Sequence, residues 1–181
     1  PPLCAVILYS ISRMSSLAGL DIRICFKLSL FGMLLLSTGI FWWWTRNGLL
    51  AVLFELSLVL SSTVLGYTDI HMTPTFLLSL WALQKKRWLL FTLLYGVTCL
   101  IKWQPIIIAP VILLHILGIH RWRDWQSIDY KGIGFRVVFP ALAGFLLVLF
   151  FFRWGVVYAF LNAIREPVFS GNALNLNWLV T

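Results

Sequence analysis

The sequence has little charge. Asp, Glu, Lys and Arg make up 11% of its 181 residues, against roughly a quarter in an average soluble domain. Carboxylates are the scarcest group, with 6 Asp and Glu against 14 Lys and Arg, and 61% of the residues are hydrophobic. A water-soluble globular domain is therefore a poor fit. Several long apolar runs instead predict an all-α fold, a polytopic bundle of about six to seven membrane helices.

Cysteine is also scarce. Cys4, Cys25 and Cys99 are isolated and lack the spacing of metal ligands, so they predict neither a disulfide framework nor a metal site. No Walker, zinc-site, Ser-His-Asp or dinucleotide motif is present in the sequence. The chain begins with Pro1 instead of Met and ends in an apolar run. We therefore expect residues 1–181 to be a single transmembrane domain cut at both ends from a longer protein.

The positive charge indicates orientation and not a nucleic-acid partner. The net charge is +8, but the Lys and Arg residues lie mostly in short loops between apolar runs, where they mark the cytoplasmic side of a membrane. The richer side carries Arg46, the basic turn 85–87 and the polar loop 120–134. The loops that contain Asp69 and Lys102 then lie on the extracytoplasmic side.

Local signals place the helices between these loops. Thr73 followed by Pro74 is typical of a helix start, with Thr as the N-cap and Pro at the first helical position. Asp69 is then not required as a cap, which favours a functional role for it. The basic turn 85–87 precedes another helix, and Pro105 begins the next. The other segments that we predict are a mixed loop at 15–27, a first clear span at 26–44, its return at 48–65 and a later span at 135–152.

Two of the spans are short. Asp69 and Lys85 are 16 residues apart, and Arg87 and Lys102 are 15 apart, which corresponds to helices of about 24 and 22 Å. The hydrocarbon core of a bilayer is about 30 Å thick. With the basic turn at one interface, Asp69 and Lys102 stop short of the other. Irregular backbone at that depth must be buried in protein or line a wet cavity, so the spacing predicts a recessed polar cavity open to the extracytoplasmic side.

A carboxylate, an imidazole and an ammonium group converge on this cavity. Lys102 can hold a phosphate as a point charge, and Asp69 can accept a proton from a hydroxyl or bind a metal. The set suits a phosphorylated lipid substrate. Two alternatives stay open: Lys102 as a lysine that reaches to the membrane interface, and His71 as a simple polar group of the loop.

Glu55 lies inside the apolar run 48–65. An ionisable residue at such a depth should face the bundle interior or a water-filled cavity. One interpretation is a contact to a proton or to a substrate hydroxyl. The alternative, which we favour, is a protonated Glu that is hydrogen-bonded between helices.

A run of short motifs in this chain resembles the GT-C class of membrane glycosyltransferases. The matching pattern is G-x-x-D at Gly66 and Asp69, the basic turn 85–87, and K-x-x-P at Lys102 and Pro105. The chain is most similar to the bacterial mannosyltransferase-like branch, whose members use polyprenyl-phosphate sugars. The opening residues 1–3 and the loop 170–178 are also similar to that group. Tyr67 departs from the pattern, since the family usually has Gln after the glycine.

The resemblance implies an enzyme of the bacterial plasma membrane with several spans. It would transfer a sugar, with mannose as one candidate, from a polyprenyl-phosphate donor to a hydroxyl of a lipid or glycan acceptor on the extracytoplasmic side, with inversion. The general base is expected upstream of Pro1, so we expect the fragment itself to be inactive. A divalent cation is compatible with such a site, although no residue is assigned to a metal. The residues implied in substrate binding are Asp69, His71, Lys102, Gln104, Arg165 and Asn172.

A membrane transporter, a lipid flippase segment or a non-catalytic membrane subunit is the alternative. Transporters usually contain inverted repeats and helices broken near the membrane midplane. This sequence has no tandem repeat, and its polar residues lie toward one face of the predicted bundle. That arrangement favours an enzyme open to one side.

Overall fold

A computed structural model describes residues 2–64, 66, 68–117, 134–155, 157–158 and 161. These residues are helical or lie in turns, with no strand among them, which confirms the predicted all-α class. The α-helices in this part of the chain are α1 (Pro2–Ala18), α2 (Ile22–Thr45), α3 (Gly48–Val59), α4 (Thr73–Gln84), α5 (Trp88–Ile101), α6 (Ala109–Ile116) and α7 (Phe139–Phe152).

Helix α2 is the longest element. Its N-cap Asp21 accepts a hydrogen bond from the Arg23 N–H at 2.7 Å, which satisfies one of the free donors at a helix start. It ends where Arg46 adopts a left-handed conformation with φ of 56° and donates its N–H to the Trp42 carbonyl. With 24 residues it is about 36 Å long. Within the described ranges, α2 is the one helix long and apolar enough to cross a membrane, judged by length and composition.

The helix boundaries confirm some of the predicted segments and correct others. The turn after α2, the basic turn 85–87 and the end of α5 at Ile101 lie where they were predicted. The predicted loop 15–27 is wrong, because α1 continues to Ala18 and α2 begins at Ile22. Asp21 is the missed signal, since a short polar residue before an apolar run is a usual N-cap.

Several helices are shorter than α2 and continue into tighter or wider turns. The π-helical turn Leu60–Val64 extends α3, and the 3₁₀ turn Thr68–His71 precedes α4. The 3₁₀ turn Gln104–Ile108 leads into α6, and a π-helical turn at Gly134–Val138 leads into α7. The connection from α3 to α4 holds Asp69 and the connection from α5 to α6 holds Lys102, so these polar residues lie where the regular helices stop.

Two side-chain contacts give the register of α2 against α4. At one end Ser29 Oγ lies 3.3 Å from His71 Nε2, and at the other Trp44 Nε1 donates to Gln84 Oε1 at 2.8 Å. The two helices therefore run in the same direction, with α3 returning between them. We call the first the Asp69 end and the second the Trp44 end.

Between these contacts the helices bury small polar side chains. Ser37 and Ser79 have no exposed surface, and each lies eight residues beyond the Ser29–His71 contact. They are therefore at the same level. Each hydroxyl donates to a carbonyl of its own helix, so neither of these two hydroxyls is left unpaired. Small residues of this kind let membrane helices approach closely.

Two clusters of buried hydrophobic residues hold the bundle. In the first, Leu30 and Leu34 of α2 pack with Ile70 of the 3₁₀ turn. In the second, Ala82, Phe91 and Ile112 join α4, α5 and α6. The first cluster matters most for the polar residues, because Ile70 stands between Asp69 and His71 and fixes the turn against α2.

Candidate functional site

The centre of the candidate site is an ion pair between Asp69 and Lys102. The Lys102 ammonium donates to Asp69 Oδ1, with the Lys102 side chain 27% exposed and the Asp69 side chain 47% exposed. The two residues are 33 positions apart in the chain, so the tertiary fold brings them together. The sequence placed both residues on one side of the bundle, and the structure places them in contact.

Asp69 is held through its backbone. Its carbonyl accepts from the Met72 N–H at 3.2 Å and from the Thr73 hydroxyl at 3.3 Å. The predicted N-cap role of Thr73 is wrong, because α4 already includes Thr73 and Met72 takes the cap position without a side-chain bond. The consequence predicted for Asp69 still holds. Its carboxylate caps no helix and is directed to Lys102.

His71 is buried and points inward. Its Nδ1 lies 3.2 Å from the Thr68 carbonyl, and its Nε2 contacts Ser29. Burial lowers the pKa of His71 below its ordinary value, so the neutral ring is favoured at pH 7. The neutral ring has one N–H, and because the Thr68 carbonyl can only accept, Nδ1 carries it. The Ser29 hydroxyl has one proton, with both the Phe26 carbonyl (2.8 Å) and His71 Nε2 within reach. This geometry favours the alternative, a polar group that holds the turn, and substrate contact by His71 stays a prediction.

Lys102 is positioned by the end of α5. It adopts an extended conformation (φ −148°, ψ 138°), and its N–H donates to the Thr98 carbonyl at 3.0 Å. One turn earlier in α5, Thr98 Oγ1 lies 3.0 Å from Thr75 Oγ1, and this hydrogen bond joins α5 to α4. Thr98 is fully buried. The ammonium group therefore extends from a helix end that is packed against α4.

The K-x-x-P segment folds back on the same helix. Pro105 is buried, and its carbonyl accepts a hydrogen bond from the Tyr95 hydroxyl. Gln104 is exposed on the 3₁₀ turn that follows Lys102. Gln104 thus lies beside the ion pair in the chain, and its substrate role stays a prediction. Sequence reasoning missed Tyr95, because only the fold shows that the chain turns back onto α5.

The Asp69 end is recessed relative to α2. Ser29 marks the level of His71, and α2 continues for seven more residues to Ile22, which is about 10 Å. Ile22, Ile24 and Leu28 on that extension are exposed, and so are Arg23 and Lys27. The turn that carries Asp69 therefore lies below the end of α2, at the level where the charged part of this helix begins. The predicted depth of the polar residues in a membrane stays a prediction.

Glu55 lies away from this site. It is half-buried on the face of α3 that also carries Ala51 and Leu58. The neighbouring Phe54 stacks on Phe41 of α2, with ring centroids 4.5 Å apart, and Phe41 is twelve residues beyond Ser29, or about 18 Å. Glu55 therefore faces the bundle, as predicted, but at the level of the Trp44 end.

Other predicted site residues fall outside the described ranges. Arg165, Asn172 and the loop 170–178 belong to this group, as does most of the polar loop 120–134. Among the residues that the structure does describe, no three His, Cys, Asp or Glu side chains gather into a metal-binding group. A divalent cation therefore stays a prediction.

Comparison of the chain with known protein families, with curated proteins and with solved structures gives no match. The resemblance to GT-C transferases therefore depends on the spacing of Gly66, Asp69, Lys102 and Pro105. The geometry around Asp69 and Lys102 is a separate observation from that spacing. The two together are the basis for the function proposed next.

Proposed function

We propose that this chain is part of an integral-membrane glycosyltransferase that takes a sugar from a polyprenyl-phosphate donor. The observation that carries the proposal is the Asp69–Lys102 ion pair, recessed by about 10 Å relative to α2. A lipid-linked phosphate reaches such a site from the bilayer, without leaving it. A water-soluble phosphate compound has no need of a site at that depth.

A bundle of six to seven spans in a bacterial plasma membrane is the setting that we propose. Its support is the apolar surface: Leu35 and Leu36 on α2, and Leu49, Leu53 and Leu56 on α3, are all exposed. Soluble proteins rarely expose contiguous apolar patches larger than a few hundred Å². Lipid chains are the partner that covers such a surface on several neighbouring helices.

Lys102 has the role of holding the donor phosphate. In the transfer, the acceptor oxygen attacks the anomeric carbon, the bond from that carbon to the phosphate oxygen breaks, and polyprenyl phosphate leaves with the bonding electrons. Negative charge grows on the leaving phosphate, and an ammonium group aimed at it lowers the barrier. The acceptor hydroxyl gives its proton to a general base, which the resemblance places upstream of Pro1.

Asp69 has the role of keeping Lys102 in place until the donor binds. When the donor phosphate pairs with Lys102, the Asp69 carboxylate becomes free to accept a hydrogen bond from a sugar or acceptor hydroxyl. The exposure of both side chains leaves room for this exchange of partners. The pair thus accounts for recognition of a phosphorylated, hydroxyl-bearing ligand at one place.

The proposed orientation predicts a labelling pattern. In a cysteine-free background, single cysteines at Thr68 and Ser170 should react with an impermeant thiol reagent added outside cells, since both lie in loops assigned to the extracytoplasmic side. A cysteine at Gln84, at the Trp44 end, should react only after the membrane is opened. Labelling of position 84 alone in intact cells would invert the orientation.

The transfer reaction itself is tested with the full-length protein in vesicles. Radiolabelled polyprenyl-phosphate mannose should pass its sugar to an added lipid or glycan acceptor, and vesicles without protein should give no product. Because the general base is expected upstream of Pro1, residues 1–181 alone should transfer nothing. If the full-length protein transfers no sugar but moves the labelled lipid between leaflets, the result would favour a flippase.

A further inference from the structure

The Trp44 end gathers cations from two separate turns. Arg46 follows α2, and residues 85–87 follow α4. The hydrogen bond from Trp44 to Gln84 joins these two turns at 2.8 Å. All four cationic side chains are exposed. We call this set of Arg46, Lys85, Lys86 and Arg87 the basic patch.

None of the four cations of the basic patch forms an ion pair with a carboxylate in the described part of the chain. The acidic residues there are Asp21, Glu55 and Asp69. Asp21 and Asp69 lie at the opposite end, and Glu55, at the level of the Trp44 end, is half-buried on α3 and pairs with no cation of the patch. Over the same residues, the one ion pair is that of Asp69 with Lys102. Four exposed cations that have no carboxylate partner among the described residues are suited to bind an external anion.

Tryptophan rings form the floor of the patch. The Trp43 ring lies 5.2 Å from the Trp81 ring, and Arg87 Cζ lies 5.3 Å from the Trp81 centroid. An arginine over an indole face is held by a cation–π interaction and retains a planar fork of N–H donors. That fork matches the two oxygens of a phosphodiester, whereas lysine supplies a point charge.

The backbone under the patch is also unusual. Arg46 and Lys86 adopt left-handed conformations, with φ of 56° and 55°. Such a conformation is uncommon outside Gly, Asn and Asp. These turns therefore have cations at two positions where the backbone favours a smaller residue.

We propose that the basic patch binds the headgroup of an anionic phospholipid. Tryptophan rings are concentrated at the level of the headgroups, and cations near a membrane surface attract acidic lipids. The site lies at the opposite end of the bundle from the Asp69–Lys102 pair. The inference depends on α2 crossing the membrane and not on sugar transfer.

The test uses quenching of tryptophan fluorescence by brominated lipids. The full-length protein is placed in vesicles that contain either brominated phosphatidylglycerol or brominated phosphatidylcholine, and the relative association constant follows from the two quenching curves. We expect the protein to prefer the anionic lipid about fivefold. This factor corresponds to the attraction of about one cation to an acidic headgroup. Addition of inorganic phosphate at millimolar concentration should not reduce the preference, because the acyl chains hold the lipid at the site.

Three variants complete the test. Replacement of all four cations by Gln should bring the preference to about one, while Arg23→Gln with Lys27→Gln at the Asp69 end should leave it unchanged. Arg87→Lys, which preserves the charge, should lose about half of the preference because the fork is gone. Equal quenching by the two lipids in the wild type would overturn the proposal. An undiminished preference in the fourfold variant would also overturn it. If the fourfold variant does not fold, an undiminished preference in Arg87→Lys would do the same.

Discussion

Lys102→Ala is expected to lower sugar transfer by the full-length protein by more than tenfold, with Asp69→Ala lowering it by a similar factor. Removal of one preorganised electrostatic contact to a group that gains charge in the transition state commonly costs a hundredfold or more. The position of the Lys102 ammonium is fixed by the fold, because Lys102 follows the end of α5, where Thr98 is buried. Initial rates with a labelled donor, normalised to the amount of protein in the vesicles, measure the effect.

The double variant separates catalysis from stability. Each single alanine leaves the other charge without its partner, which for a pair as exposed as this one costs up to about 1 kcal/mol. Asp69→Ala with Lys102→Ala removes both charges, so a purely structural pair would regain stability and activity together. We expect the double variant to regain thermal stability and to stay inactive. Recovery of transfer in the double variant would assign the pair to the fold alone.

Two further variants sharpen the role of Lys102. Lys102→Arg preserves the charge but replaces a compact ammonium with a planar fork, so it should restore activity only in part. Arg13→Ala removes an exposed cation of α1 and should leave the rate unchanged. Wild-type activity in Lys102→Ala would identify Lys102 as a lysine that reaches to the interface, the alternative that the sequence left open.

The sequence predicted the places where the chain turns, because turns in an apolar chain are marked by charge. Residues 85–87 interrupt an apolar run and form the connection between α4 and α5, and α5 ends where Lys102 follows Ile101. The start of α2 was harder to predict. Arg23 and Lys27 led to the prediction of a loop, yet they lie on the first turns of α2, where both side chains are exposed.

The candidate site was predicted in composition but not in its contacts. The spacing of Asp69 and Lys102 placed them at one end, since two short helices of similar length connect them to the same basic turn. The partner of His71 depends on the rotation of α2, which presents Ser29 to the turn. A helix that is apolar on all sides has no periodic pattern that shows which face points inward. The rotation of α2 is therefore decided by tertiary packing and could not be predicted from the sequence.

The packing of α2 leads to the second large effect. Leu34 is 0% exposed and packs in the cluster with Leu30 and Ile70, while Leu35 next to it is 48% exposed. Leu34→Ala should lower the free energy of unfolding by about 2–5 kcal/mol, the range for a buried leucine that leaves a cavity. Leu35→Ala is the matched control and should cost less than about 1 kcal/mol, since its side chain faces outward. Unfolding of the reconstituted protein by added sodium dodecyl sulfate measures both.

The same pair of variants links the packing to the site. Ile70 loses a neighbour in Leu34→Ala, and Ile70 is the residue that anchors the turn between Asp69 and His71. A looser turn lowers the fraction of molecules in which Asp69 meets Lys102, so transfer should fall in Leu34→Ala even under conditions where the protein remains folded. Leu35 faces outward and does not pack against the turn, so the transfer rate of Leu35→Ala should match that of the wild type. Equal losses in the two variants, in stability or in rate, would contradict the burial of this face and with it the anchoring of the Asp69 turn on α2.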